Sequence, residues 1–103
     1  MIEIETIRAN LQRIKTYYSI SEMYAREYPR SKIIFPEDLM SIVKQYDKIM
    51  DKAPLRLLLA YVNLYRCFKK QKQYAQECNV TEKYVQILNK RIILYLFNSL
   101  NKE

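Results

Sequence analysis

The side chains of this chain that can do chemistry are cations and amides rather than acid–base or nucleophilic groups. Histidine is absent, so the commonest general base is missing, and glycine is absent, so no glycine-rich phosphate loop can form. No carboxylate cluster stands out. Catalysis is therefore not expected, and neither a cofactor nor a metal is called for. Cys67 and Cys78 lie 11 residues apart with no second pair, a spacing that suits neither a zinc site nor a disulfide framework, so both are expected to be reduced and structural.

The cations are unevenly placed. The formal net charge is +7, yet residues 1–51 carry eight basic and eight acidic side chains, whereas residues 52–103 carry ten basic and three acidic ones. The whole excess lies in one half, as expected if that half meets a polyanion.

Inside that half, five residues have the types and spacing of a helix-turn-helix corner. Ala75 is followed by Asn79 at +4, Val80 at +5, Val85 at +10 and Leu88 at +13. Two helices crossing steeply need a small side chain at the contact, which Ala75 supplies. The turn between them needs a residue that tolerates positive φ, and Asn79 is one of the few types besides glycine that does. Val80, Val85 and Leu88 then seal the wedge.

The stretch 54–100 built around this corner resembles region 4 of sigma-70-type factors and the sigma-like regulators of phages and mobile elements in low-GC Gram-positive bacteria. The residues that carry the resemblance are Gln73-Tyr74-Ala75, Asn79-Val80-Thr81, Tyr84-Val85 and Leu88, with the Lys90-Arg91 pair behind them. The chain departs from that pattern in having Asn79 for glycine, Tyr74 for a branched aliphatic residue, and Ile87 at a position that often faces DNA.

The resemblance implies that the helix starting at Thr81 enters the major groove amino end first. Thr81, Glu82, Lys83, Gln86 and Lys90 would then face the bases, with Gln86 able to pair with adenine and Glu82 with a cytosine amino group. Lys69, Lys70, Lys72, Tyr84 and Arg91 would contact phosphate, contributing affinity and salt dependence but no sequence information. The implied partner is double-stranded DNA. Ile87 instead fits a protein contact, so a competing expectation keeps the helix-turn-helix shape as a grip on RNA polymerase or another transcription factor.

The elements that must position these residues are all helical. Apolar residues recur at three- and four-residue spacing nearly throughout, and the glycine-containing pairs that signal two-residue hairpins are absent. The expectation is an all-α fold of about five helices. A long first helix over about residues 2–27 places Ile4, Ile7, Leu11, Ile14 and Tyr18 in a heptad stripe, either intramolecular core or a seam with a second copy of the chain.

Tyr28-Pro29 ends that helix, and residues 30–35 form a linker before Pro36 restarts the helix. The next helix reaches about Lys52 on the stripe Leu39, Ile42, Val43, Tyr46, Ile49 and Met50. A third begins after Pro54, with Leu55, Leu58, Leu59, Val62, Tyr65 and Cys67 as its apolar positions. A short helix over about 71–78 comes next, and Thr81 caps a last helix that runs to about Leu100 and is apolar nearly all round after Arg91.

Two regions are expected: 1–52 for packing or dimerisation, and 53–103 as the helix-turn-helix module. The ten tyrosines mostly occupy core stripes, where the ring is buried and the hydroxyl reaches the rim. No run of 18 apolar residues exists, and residues 1–5 lack the basic-then-apolar pattern of a secretory signal, so a cytoplasmic location without membrane contact is expected.

Overall fold

Three prolines and one asparagine set most of the element boundaries. The computed structural model describes residues 1–102. Its helices are α1 (Ile4–Glu27), α2 (Glu37–Met50), α3 (Leu55–Tyr61), α4 (Gln71–Cys78) and α5 (Glu82–Leu100). Pro36 and Pro54 each stand in extended conformation immediately before a helix, where a missing N–H costs no intrahelical bond. The all-α expectation is met, and no strand occurs among the described residues.

One core serves the whole chain. Ile7, Leu11 and Ile14 of α1 are buried together with Val43, Tyr46 and Met50 of α2 and with Val85, Leu88, Ile92, Ile93 and Leu96 of α5. The heptad stripe of α1 is therefore intramolecular core, with Ile4 and Tyr18 packed at its edges. The apolar last helix is covered mainly by α3, α4, α1 and α2. At one end the Ile2 N–H donates to Asn101 Oδ1 at 2.7 Å and Asn101 Nδ2 donates to the Ile2 carbonyl at 3.0 Å, clasping the start of α1 to the end of α5.

The third helix departs from its expected stripe. Leu55 is 69% exposed, Leu59 and Cys67 are exposed as well, and the buried positions are Ala60, Tyr61, Leu64 and Tyr65. Residues 57–62 are all apolar, so no period within them selects a face. After Tyr61 the backbone also widens into a π turn over Val62–Arg66, closed by the Cys67 N–H donating to the Val62 carbonyl at 2.8 Å. Each π turn inserts a residue and rotates the downstream residues by about 100°, so a 3.6-residue stripe read through it loses phase.

Phe68 then reverses the chain at φ 45°, and Lys69 N–H reaches back to the Asn63 carbonyl at 3.0 Å. With no glycine in the chain, Phe68 and Asn79 are the two described residues with positive φ.

Asp47 holds the π turn in place. Its carboxylate accepts hydrogen bonds from the Tyr18 hydroxyl, from the Tyr61 hydroxyl at 2.7 Å and from Arg66 Nε at 3.2 Å, while Arg66 also reaches Asp51 at 2.9 Å. The Arg66 guanidinium lies 5.3 Å from the Tyr61 ring centre. α1, α2 and the π turn thus meet on one carboxylate. Burial, reinforced by Asp47, pushes the Tyr18 and Tyr61 hydroxyls well above the ordinary tyrosine pKa, and burial lifts Tyr65 to about 12.

Candidate nucleic-acid interface

The corner between α4 and α5 has the geometry its residues specify. Asn79 adopts φ 56°, ψ 44°, a left-handed conformation in which the Val80 N–H donates to the Ala75 carbonyl at 3.0 Å and the Asn79 N–H to the Gln76 carbonyl at 3.2 Å. These are the two backbone bonds of a Schellman C-cap, and they use carbonyls that α4 would otherwise leave open. Two residues later Thr81 Oγ1 accepts from the Tyr84 N–H at 3.1 Å and starts α5, with Glu82 in its first turn complementing the helix dipole.

The wedge is sealed by Tyr74, Ala75, Val85 and Leu88, all buried. Val80 does not seal it. As the residue after the left-handed position, it directs its N–H back to α4 and leaves its side chain exposed on the wall of an open groove. That groove has a volume of about 570 Å³ and is lined by Tyr74, Cys78, Val80, Thr81, Tyr84, Leu88 and, from α3, Arg56.

Arg56 carries no motif that would single it out. It is exposed and has no ion-pair partner among the described residues, and its only sequence signal is that it is the one cation in the run 54–65.

On α5, successive side chains step round the axis by about 100°. With Val85, Leu88, Ile92 and Leu96 turned to the core, Glu82, Lys83, Gln86 and Lys90 share the solvent-facing arc, and all four are exposed. Tyr84 and Arg91, seven residues apart, lie along the opposite flank, with Tyr84 half-buried and Arg91 exposed. Ile87 stands between the two arcs, 39% exposed, and Leu94 sits seven residues further on. Groups expected to read bases and groups expected to hold phosphate are thereby separated on one helix.

The lysines before α4 divide. Lys70 and Lys72 are exposed and have no ion-pair partner among the described residues. Lys69 Nζ is instead engaged by Asn63 Oδ1 at 2.8 Å and Glu77 Oε1 at 2.6 Å. The hydrogen bond to Glu77 raises the lysine pKa, and the same bond lowers that of the carboxyl. Lys69 thus ties the turn at Phe68 to α4.

Cys67 and Cys78 are free thiols, and both are exposed rather than part of the core. They stand at the ends of the π turn and of α4, where the chain leaves helical packing, which explains why two small apolar side chains escape burial. Among the described residues no group of three or more His, Cys, Asp or Glu side chains is placed to hold a metal, and no helix is long and apolar enough to cross a membrane. No protein-family model matches the chain, and no curated protein or solved structure matches it either.

Proposed function

We propose that this protein is a DNA-binding transcriptional regulator, of the sigma-like kind carried by phages and mobile elements, that lays the amino-terminal half of α5 in the major groove. The observation that carries the reading is the corner itself: a left-handed Asn79 between two helices, then a capped helix whose outward arc presents Lys83, Gln86 and Lys90 unobstructed. In that docking Lys70, Lys72, Arg91 and Arg56 meet phosphate, Gln86 reads adenine and Glu82 reads a cytosine amino group.

The test is duplex binding by fluorescence anisotropy across a salt series. For about four phosphate contacts, affinity falls roughly a hundredfold between about 50 and 200 mM salt. Replacing Lys83 and Gln86 together with Ala relaxes sequence preference by about 1–3 kcal/mol, whereas Lys70→Ala with Lys72→Ala weakens all duplexes alike and flattens the salt slope. Retention of no duplex even at low salt overturns the reading.

A second reading has its own observation. Ile87 and Leu94 (51% exposed) form an outward apolar line on α5, flanked by Lys90 and Arg91. Such a line suits a modulator that grips RNA polymerase or a transcription factor through the same scaffold. Under that reading Ile87→Asp abolishes complex formation with the protein partner, and the Lys83 and Gln86 substitutions leave it intact.

A further inference from the structure

Net charge conceals a ridge of cations where the two halves of the chain join. Lys44, Lys48 and Lys52 recur at four-residue spacing, and Arg56 follows at the same interval in the first turn of α3. Residues four apart lie on one side of a helix, so the lysines line one side of α2 and its end, and Arg56 continues the line across the α2–α3 junction. All four are exposed, and none has an ion-pair partner among the described residues. The two acids beside the ridge are committed elsewhere: Asp47 accepts from Tyr18, Tyr61 and Arg66, and Asp51 accepts from Arg66 Nη2 at 2.9 Å. From Lys52 to Gln76 the sequence has no acidic residue.

The ridge runs beside a matching stripe of α5. Tyr84, Leu88, Arg91, Tyr95 and Ser99 follow one another at steps of four, three, four and four, which keeps them on one flank of that helix. Two open grooves separate ridge from stripe. One, of about 220 Å³, has Lys48, Ile49 and Lys52 on one wall and Tyr95 and Ser99 on the other. The second is the groove beside Val80, where Arg56 stands across from Tyr84 and Leu88. Arg91, exposed and without an ion-pair partner among the described residues, lies on the stripe between them.

We infer that this strip is a phosphate track, on which Lys48 and Lys52 extend the contacts of Arg56 and Arg91 along the sugar–phosphate backbone of one strand of duplex DNA. The inference rests on the DNA reading and enlarges its footprint beyond the helix-turn-helix, onto a helix from the half of the sequence that has no net charge. The strip is a line rather than a cluster, and the run from Tyr84 to Ser99, about 22 Å, matches about six phosphates of one strand at 3.4 Å of axial rise each. Hydroxyls of Tyr84, Tyr95 and Ser99 stand among its cations, and phosphate oxygens accept from both kinds of group. Like charges four residues apart repel along a helix, and a polyanion laid over the ridge removes that repulsion. Continuity with Arg56 and Arg91 makes the partner the duplex docked at the corner rather than an acidic protein.

Anisotropy of a labelled mixed-sequence duplex of about 20 base pairs, titrated with the full chain across a salt series, counts the phosphates engaged, because each adds about 0.9 to the slope of log affinity against log salt. Lys48→Ala with Lys52→Ala lowers that slope by about 2 and weakens binding at low salt by about tenfold or more. All duplexes weaken alike, and the thermal midpoint stays at the wild-type value because both side chains are exposed. Arg30→Ala with Lys32→Ala removes the same charge from the segment before α2 and leaves the slope unchanged. A wild-type chain that binds no duplex overturns the DNA reading and the track together. A wild-type chain that binds, with a slope that survives the Lys48 and Lys52 substitutions or falls as far with those at Arg30 and Lys32, overturns the track alone and leaves docking by α5 standing.

Discussion

The chain turns through a left-handed residue twice, at Phe68 and at Asn79, and the two turns are built from different chemistry. At Asn79 the side chain is a type that visits the left-handed region readily, the bonds that close the turn are backbone bonds to α4, and the next helix is capped by Thr81. At Phe68 the side chain is one that resists that conformation by about 1–2 kcal/mol, so the turn persists only because surrounding contacts over-determine it. Those contacts are a π turn, the Lys69–Glu77 pair, and the Asp47 hub with its two tyrosines and Arg66. One corner is made locally, the other by tertiary structure.

High pH loads the Phe68 turn more heavily than the Asn79 turn. Tyr18, Tyr61 and Tyr65 at the π turn have raised pKa values in the folded chain, and an unfolded tyrosine ionises near 10. A raised folded value contributes stability that is complete below the unfolded value and is lost as pH rises toward the folded one. Helical ellipticity should therefore hold to about pH 10 and collapse cooperatively above it. The α4–α5 corner contributes one such group, Tyr74, which burial and the Cys78 thiol lift to about 12, against three at the π turn. A chain that keeps its full ellipticity to pH 12 would show that these hydroxyls are not held neutral by folding.

The same contrast explains which features are legible in the sequence. The α1 stripe, the proline boundaries and the α4–α5 corner depend on spacing within one or two helices, and spacing is what a sequence displays. The π turn is hidden in the uniformly apolar run 57–62, and with it the exposure of Leu55 and Leu59. The Asp47 hub joins residues 14 to 29 positions apart, and the Ile2–Asn101 clasp joins the two ends of the fold, so neither has a local signature. Val80 is legible as part of the motif but not as a groove wall, because its role is set by the direction of its N–H. Lys69 resembles its neighbours Lys70 and Lys72 in the sequence because its partner Glu77 lies eight residues away, beyond helical pairing range. Arg56 is near the interface only through the packing of α3 on α5.

Removing the hub is the next largest perturbation. Asp47→Ala leaves Arg66 with only the exposed Asp51 and leaves the Tyr61 hydroxyl without its partner, which costs about 3 kcal/mol in urea unfolding. On a chain of this size that lowers the thermal midpoint by roughly 10–20 °C. The Asn79 turn does not share these bonds, so a refolded Asp47→Ala chain kept well below its midpoint should bind duplex DNA as the wild type does, if the proposed docking is right.

The smallest effects isolate the two turns themselves. At each position the difference between an Ala and a Gly variant reads the cost of the left-handed backbone, since neither has a side chain beyond Cβ to pack. Asn79→Ala should be less stable than Asn79→Gly by about 1 kcal/mol, and Phe68→Ala less stable than Phe68→Gly by about the same amount. The native residues then part company. Asn79→Gly should be within about 0.5 kcal/mol of wild type, because the exposed asparagine contributes little beyond its backbone tolerance. Phe68→Gly gives up a half-buried ring of roughly 1 kcal/mol and regains about as much from the relaxed backbone, so it should be close to neutral for an opposite reason. Equal stabilities for Phe68→Ala and Phe68→Gly would mean that the residue leaves φ 45° when its ring is removed, and that the ring itself, rather than the Asp47 hub around it, is what holds the second turn.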